Sequence, residues 1–327
     1  MHIPANLLAI IVSVFVLLGA GGAMAAESFK VGVLKFGTVN WLMETVRYHR
    51  LDERNGFSLD VLPLASKNAT SIALLSGEAD AIVTDWFWVL RQRAAGRDFV
   101  MVPYSAALGA LMVPPGSGIG SLGDLKGKRI GVAGGPLDKS WLLVRAKAQE
   151  LGAGDLSETA EPVFGAPPLL NEQLIAGRID AVVNFWPYAA RLEGMGYREL
   201  VGMSTLLKEL GLRTTPPLIG FVFSGAMATE KKETISGFVA ALKQANEILR
   251  NSDAEWERLR PLMKAGSTAE FAALKARYRA GILTSWGDDD RHAAEQLFGI
   301  LSKLGGEKLV GKGIRFDNAV FWRGFGL

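Results

Sequence analysis

The chain has 327 residues, of which 49% are hydrophobic and 21% are charged, with a formal net charge of +3. This length exceeds what one hydrophobic core commonly serves, so we expect two lobes, and the ordinary composition argues against disorder. The 36 basic and 33 acidic residues are interspersed without a basic stripe, which excludes the charge pattern of nucleic-acid-binding proteins. The absence of cysteine excludes disulfides, thiolate metal sites, cysteine nucleophiles and a lipid-attachment cysteine.

The first 25 residues predict export. Leu7–Ala20 is nearly all apolar and leads to the small-residue frame Ala23-Met24-Ala25, which is typical of a secretory signal peptide that is cleaved after Ala25. Only His2 and the amino terminus precede the apolar run as basic groups, so an uncleaved membrane anchor is the alternative. Cleavage would release a soluble protein, for which we expect a periplasmic location.

Two copies of one sequence pattern, 100 residues apart, follow this segment. Leu74–Arg91 and Leu174–Arg191 are identical at seven of 18 positions. The identical pairs are Leu74/Leu174, Gly77/Gly177, Asp80/Asp180, Ala81/Ala181, Val83/Val183, Trp86/Trp186 and Arg91/Arg191. Each copy predicts three strands joined by two helices, which is the βαβαβ pattern of parallel sheets with right-handed crossovers. Duplication and convergence of similar helix-to-strand turns both explain the match, and both predict two doubly wound lobes.

The predicted strands are residues 30–33, 57–64 and 79–84 in the first copy, and 129–132, 161–164 and 179–184 in the second. Extended apolar segments at 110–115 and 218–224 predict two hinge strands that cross between the lobes. Residues 26–110 and 225–327 then form lobe 1, and residues 111–224 form lobe 2. The C-terminal part predicts helices at 232–250, 254–264, 268–283 and 288–304, which we expect to pack on lobe 1.

Several motifs resemble the nitrate, sulfonate and taurine (NitT/TauT-like) family of solute-binding proteins of ABC importers. They are the loop Lys35–Trp41, the helix end Leu75–Ala81, the run Leu122–Val132 and the stretch Leu174–Val183. The resemblance implies the α/β, two-lobed periplasmic-binding-protein fold (type II-like), a monomer that binds a small-molecule ligand, and delivery to a membrane permease. It implies no cofactor. In the family a Gly-Ser rich turn of the second lobe often binds an anion, and Asp138 departs from that pattern.

Candidate ligand-binding residues lie where the predicted strands end, because helix N-termini and loop amides converge at the carboxyl ends of parallel strands. The selected residues are Thr38, Asn40, Trp41, Ser66, Lys67, Asn68, Thr84, Asp85 and Trp86 in lobe 1, and Gly135, Asp138, Ser140, Asn184, Phe185 and Trp186 in lobe 2. The tryptophans among them predict an aromatic cleft that suits a flat or partly apolar solute. We expect a heteroaromatic or amine-bearing compound, with sulfonates as the second choice.

These residues also have structural explanations. Asp85 is a candidate carboxylate for a cationic ligand, or an N-cap of the helix that begins at Trp86. Lys67 and Lys139 are candidates for neutralising an anion, or they are solvated surface groups. The tryptophans either face the cleft or pack inside their own lobe.

Residues for catalysis are scarce. The three histidines, His2, His49 and His292, are not spaced as metal ligands, and no serine lies in a Gly-x-Ser-x-Gly turn. We therefore expect a binding protein without enzyme activity, cofactor or metal. Two alternatives are open: a periplasmic accessory protein of the same fold that assists a dehydrogenase or another enzyme, and an enzyme like the thiamine-pyrimidine synthases.

Overall fold

Two five-stranded sheets organise residues 26–326, the part of the chain that the computed structural model describes. The first contains β1 (Glu27–Leu34), β2 (Phe57–Leu64), β3 (Ala81–Asp85), β4 (Phe99–Ser105) and β10 (Ile219–Ser224), in the order β2-β1-β3-β10-β4. The second contains β5 (Ala110–Val113), β6 (Arg129–Ala133), β7 (Glu161–Gly165), β8 (Ala181–Asn184) and β9 (Arg198–Gly202), in the order β7-β6-β8-β5-β9. The predicted signal segment lies outside the described residues.

Helices cover both sheets. Lobe 1 has α1 (Val39–Tyr48), α2 (Leu51–Arg54), α3 (Lys67–Ser76) and α4 (Trp86–Ala94), and lobe 2 has α5 (Lys139–Glu150), α6 (Leu156–Thr159), α7 (Pro167–Ile175), α8 (Trp186–Gly194) and α9 (Met203–Glu209). The C-terminal helices are α10 (Gly225–Glu230), α11 (Lys232–Asn251), α12 (Asp253–Met263), α13 (Thr268–Ala280) and α14 (Asp288–Val310). Across residues 26–326, none of the helices combines the length and the apolarity that a membrane crossing requires.

The three strands of each βαβαβ unit are parallel, as the sequence predicts. In lobe 1, β1 pairs with β2 and β3, and in lobe 2, β6 pairs with β7 and β8. Each sheet also contains one antiparallel strand that arrives from the other lobe: β10 lies between β3 and β4, and β5 lies between β8 and β9. The predicted hinge segments 110–115 and 218–224 therefore lie mostly within a central strand of the lobe that each enters. The chain crosses between the lobes just before them, at 106–109 and 210–218.

The sequence repeat has the same structural role in both lobes. Gly77 and Gly177 follow helices α3 and α7 with φ of 76° and 67°, a backbone conformation that glycine adopts at no steric cost. The carboxylates of Asp80 and Asp180 each accept a hydrogen bond from a backbone N–H of the first strand of their lobe, at 2.7 and 2.8 Å. In each lobe, the aspartate of the Gly-x-x-Asp repeat therefore connects the turn before the third strand to the first strand.

The hydrophobic core follows the sheets. In lobe 1, Phe29 of β1 and Phe57 of β2 pack against Phe238 of α11, with ring centroids 4.7 and 6.0 Å from that of Phe238. In lobe 2, Leu170 and Leu174 of α7 are buried in a smaller cluster on one face of the second sheet. Both lobes therefore have an interior that can hold the strand ends in place.

The C-terminal helices contact both lobes, whereas the sequence predicts that they pack on lobe 1. Helices α11 and α12 pack on α1, but α13 lies along α8 of lobe 2. Arg191 of α8 forms an ion pair with Glu270 of α13 and donates a hydrogen bond to the carbonyl of Met263 at 2.9 Å. Any side chain at Gly194 would collide with the backbone of Glu270, so glycine is required for this close approach. Helix α13 thus connects lobe 2 to the α12 side of lobe 1.

Candidate functional site

The carboxyl ends of the two sheets face each other. Residues that follow β1, β2 and β3 of lobe 1 contact residues that follow β6 and β8 of lobe 2. Contacts that cross between the lobes include Trp41 with Trp186, Lys67 with Phe185, and Asp85 with Lys139. We call the region formed by these six residues, Phe87 and Asp138 the interlobe cleft.

Two ammonium groups cross the interlobe cleft in opposite directions. Lys139 of lobe 2 places its Nζ 3.4 Å from Asp85 Oδ2 and 4.9 Å from the ring centroid of Phe87, both in lobe 1. Lys67 of lobe 1 places its Nζ 5.6 Å from the ring centroid of Phe185 in lobe 2. Each lobe therefore sets one cation against an aromatic ring of the other lobe, at cation–π distance.

Two aspartates cap helix N-termini at the cleft. Asp85 is the N-cap of α4 and accepts a hydrogen bond from the backbone N–H of Trp88 at 3.0 Å. Asp138 is the N-cap of α5 and accepts hydrogen bonds from the N–H groups of Ser140 and Trp141 at 2.9 and 3.1 Å. A carboxylate in this position satisfies the exposed donors and neutralises the positive end of the helix dipole. The N-cap alternative predicted for Asp85 is therefore correct, and Asp138 has the same role.

The pKa values of the two aspartates are shifted in opposite directions. Burial alone would raise the pKa of Asp85, but the charge of Lys139 and the hydrogen bond from Trp88 outweigh it and hold the pKa below its ordinary value. At Asp138 burial dominates, so the pKa is raised although Trp141 and Lys139 oppose this change. The surroundings of Asp85 therefore favour its ionised form more than those of Asp138 do.

An aromatic cluster joins the lobes beside these charges. Trp41 of α1 and Trp186 of α8 meet edge to face with ring centroids 6.1 Å apart, and both contact Tyr278 of α13, at 5.7 and 6.0 Å. Trp256 of α12 lies 6.0 Å from Trp41. Sequence reasoning missed Tyr278 and Trp256, because they lie on C-terminal helices and no local pattern connects them with the strand ends.

The structure places six of the fifteen predicted ligand-binding residues in the interlobe cleft. They are Trp41, Lys67, Asp85, Asp138, Phe185 and Trp186. Trp41 is 4% exposed, and its contacts with Trp186 place it at the boundary between the lobes. Another seven lie at strand ends or in the adjoining turns and helix starts: Thr38, Asn40, Ser66, Asn68, Thr84, Gly135 and Ser140. Of these, Asn40 donates through its amide to the carbonyls of Leu34 and Gly37, at 2.8 and 2.7 Å, and so closes the loop after β1. Their contact with a ligand stays a prediction.

Trp86 and Asn184 lie behind the cleft surface, which corrects the expectation that they line it. Trp86 is 0% exposed, stacks on Phe87 with ring centroids 3.9 Å apart, and donates its Nε1–H to the carbonyl of Pro217 at 3.2 Å. Asn184 is 1% exposed, and its Oδ1 accepts a hydrogen bond from the N–H of Phe185 at 2.8 Å. Core packing and internal hydrogen bonds therefore use these two side chains.

Thr214 is a further candidate that sequence reasoning missed. Its Oγ1 is buried and has no hydrogen-bond partner among residues 26–326. The residue lies in the connection 210–218 that leads from lobe 2 into β10, and the first residue of β10, Ile219, pairs with Asp85. The run Thr214-Thr215-Pro216-Pro217, directly before the predicted hinge segment 218–224, was the available signal.

Solved structures of similar fold cover most of the chain. The alkanesulfonate-binding protein SsuA from Xanthomonas axonopodis pv. citri, bound to MOPS, is 21% identical with a TM-score of 0.65, over 88% of this chain and 98% of that one. The periplasmic aliphatic sulphonate binding protein SsuA from Escherichia coli is 18% identical with a TM-score of 0.69, over 89% and 92%. The desulfurization enzyme DSZB is 16% identical with a TM-score of 0.61, over 90% and 96%. At these identities the likeness shows the fold alone.

Comparison of the sequence with family models shows the family to which the chain belongs. Comparison with curated proteins gives no match. A family model described as NMT1/THI5 like matches residues 53–255, which is more than half of the chain. The match confirms the family relationship that the motifs predict, and the similar structures confirm the two-lobed periplasmic-binding-protein fold. The chain therefore belongs to the NMT1/THI5-like family.

Proposed function

We propose that the chain is the periplasmic solute-binding protein of an ABC importer, and that it binds a small organic solute in the interlobe cleft as a monomer. The observation that carries this proposal is the set of contacts between the lobes, in which charged and aromatic side chains from both sheets converge at the strand ends. Ligands of open α/β sheets bind at such strand ends. Two proteins of similar fold are sulfonate-binding proteins.

The side chains in the cleft are suited to binding and supply little chemistry. They comprise two ammonium groups, two carboxylates that serve as N-caps, and indole and phenyl rings. DSZB has a similar fold and is an enzyme, and one of its solved structures is a cysteine-to-serine variant in complex with biphenyl-2-sulfinic acid. The present chain contains no cysteine, so a cysteine nucleophile is excluded. These features support binding and delivery of the solute unchanged.

Hinge motion would open the cleft to solute. The connections 106–109 and 210–218 both cross between the lobes next to a central strand, so rotation about them would separate the strand ends. Asp85 and Lys139 are 23% and 21% exposed, and a partly exposed ion pair contributes only about 1 kcal/mol or less. A solute that contacts both lobes would shift the population toward the closed form, which a permease can then distinguish from the open one.

Spin labels can test this motion because the chain has no cysteine to remove. Ile72 on α3 of lobe 1 and Leu151 after α5 of lobe 2 are 64% and 62% exposed, so both accept a label after mutation to cysteine. Electron–electron double resonance on the solute-free protein measures the distances between the labels at positions 72 and 151. Their distribution should contain a component that is longer than the distance in the closed structure. The pair Tyr48→Cys and Ile72→Cys, within lobe 1, is the control and should give one narrow distance.

A single narrow distance between the lobes, equal to that in the closed structure, would contradict the proposal. Such a result would favour the accessory role, in which a rigid two-lobed chain assists another protein and never opens to admit a solute.

A further inference from the structure

The ammonium group of Lys139 occupies a site whose other groups, a carboxylate and an aromatic ring, attract cations. This ammonium lies 3.4 Å from the Asp85 carboxylate and 4.9 Å from the centroid of the Phe87 ring, and it reaches both from the opposite lobe. With Lys139 in this place, Phe87 is 1% exposed. A carboxylate next to an aromatic face is an arrangement by which proteins bind organic ammonium compounds. A second ammonium, that of Lys67, faces the Phe185 ring on the other side of the cleft. The cleft therefore presents aromatic faces to cations on both of its sides.

The same region offers little to an anion. The N-termini of α4 and α5 would attract an anion if they were uncapped, but Asp85 and Asp138 already accept the hydrogen bonds of their first N–H groups. The charges of Lys67 and Lys139 act on both aspartates, so the four groups form one electrostatic cluster. With all four ionised, two positive and two negative charges sum to zero. An added anion would leave this cluster with an excess of negative charge.

Exchange of one cation for another leaves the net charge of this cluster unchanged. If an ammonium compound takes the place of the Lys139 ammonium at Asp85, the cluster still holds two positive and two negative charges. Lys139 is partly exposed on a helix N-terminus, so its flexible side chain can move into solvent without disturbing the core.

We infer that the interlobe cleft binds a small organic ammonium compound at Asp85 and Phe87, and that Lys139 occupies this place when the lobes close without solute. The inference rests on the proposed function and names its ligand class. Lys139 is then a competitor of the solute for the Asp85 carboxylate.

A matched pair of probes tests the ligand class. Benzylammonium and phenylmethanesulfonate share the benzyl group and differ in the sign of their charge, so titration calorimetry of both isolates the effect of charge. Benzylammonium should bind to the wild-type protein. Lys139→Met keeps the length of the side chain and removes its charge, and it should tighten benzylammonium binding about tenfold, which corresponds to 1.4 kcal/mol.

Asp85→Asn should weaken benzylammonium binding at least about tenfold, since the carboxylate partner of the cation is lost. Asparagine is also a good N-cap, so this variant should keep its fold, which circular dichroism can verify. Lys232→Met, at the exposed start of α11, is the control for loss of one positive charge and should leave the affinity unchanged. The neighbouring Lys231 pairs with Glu27 at the amino end of β1, which is the end away from the cleft.

Three results would overturn the inference. Binding of phenylmethanesulfonate that Lys139→Met weakens would show that Lys139 is a contact for an anion, and the solute-binding function would stand. A benzylammonium affinity that Asp85→Asn leaves unchanged would place the cation elsewhere. No benzylammonium binding to the wild type or to Lys139→Met at millimolar concentration would exclude this class, while the interlobe distances would still test the proposed function separately.

Discussion

Replacement of Trp86 by alanine is expected to lower the free energy of unfolding by about 3–5 kcal/mol. The side chain is fully buried, stacks on Phe87, and contacts Phe316 with ring centroids 5.7 Å apart. Its removal would create a cavity between α4 and the C-terminal part of the chain, and it would also leave the carbonyl of Pro217 without the indole N–H. Urea unfolding followed by circular dichroism measures this loss.

The repeat supplies the matched control for this prediction. Trp186 occupies the equivalent position of the second copy, but it is partly exposed and contacts Trp41 and Tyr278 at the boundary between the lobes. Trp186→Ala should therefore cost less, about 1–2 kcal/mol. Equal losses in the two variants would contradict the assignment of Trp86 to the core and of Trp186 to the cleft.

Acid is expected to remove about 3 kcal/mol of stability through Glu255 alone. This residue is 4% exposed and lies between α1 and α12. Burial would raise the pKa of Glu255, but hydrogen bonds from Arg258, Thr45 and His49 outweigh it and lower the pKa to about 2, from an ordinary value of 4.5. A lowered pKa means that the contribution is complete above pH 4.5 and is lost as the pH falls toward about 2.

Glu255→Gln tests whether the ionised carboxylate of Glu255 stabilises the folded protein. The difference in unfolding free energy between wild type and variant should be largest near pH 6 and should shrink as the pH falls below 4.5, since protonated glutamate resembles glutamine. Glu257→Gln, on the exposed side of the same helix, is the control and should show little effect at any pH. A difference between wild type and Glu255→Gln that is the same at pH 6 and pH 3 would contradict the role of the ionised carboxylate.

The parts of the fold that depend on local pattern could be predicted from the sequence. The repeat predicted two equivalent βαβαβ units, and the structure shows why the pattern is informative, because Asp80 and Asp180 make the same hydrogen bond in each lobe. The strand ends could likewise be predicted, and with them Asp85 and Trp186 as residues that face the other lobe.

The parts of the fold and of the site that depend on contacts between distant residues could not be predicted from the sequence. Trp86 and Trp186 are equivalent in sequence, yet Phe298 and Phe316 cover only the first, and both lie more than 200 positions further along the chain. The packing of α13 on lobe 2 has the same origin, because an amphipathic helix carries no information about which of two lobes will cover it. The ion pair between Lys139 and Asp85 follows from the position of the two lobes, which no local pattern specifies.

The most direct test of solute binding is the thermal unfolding of residues 26–327 in the presence of amines, sulfonates, pyrimidines and aromatic acids. A ligand at 100 times its dissociation constant stabilises the folded protein by about 2.7 kcal/mol. With an unfolding entropy of about 2.1 cal/mol/K per residue, this raises the melting temperature by about 4 °C. We expect such a shift with amines and its loss in Asp85→Asn. If no compound of any class shifts the melting temperature, the chain does not act as a binding protein for these solutes, and the accessory role becomes the better explanation.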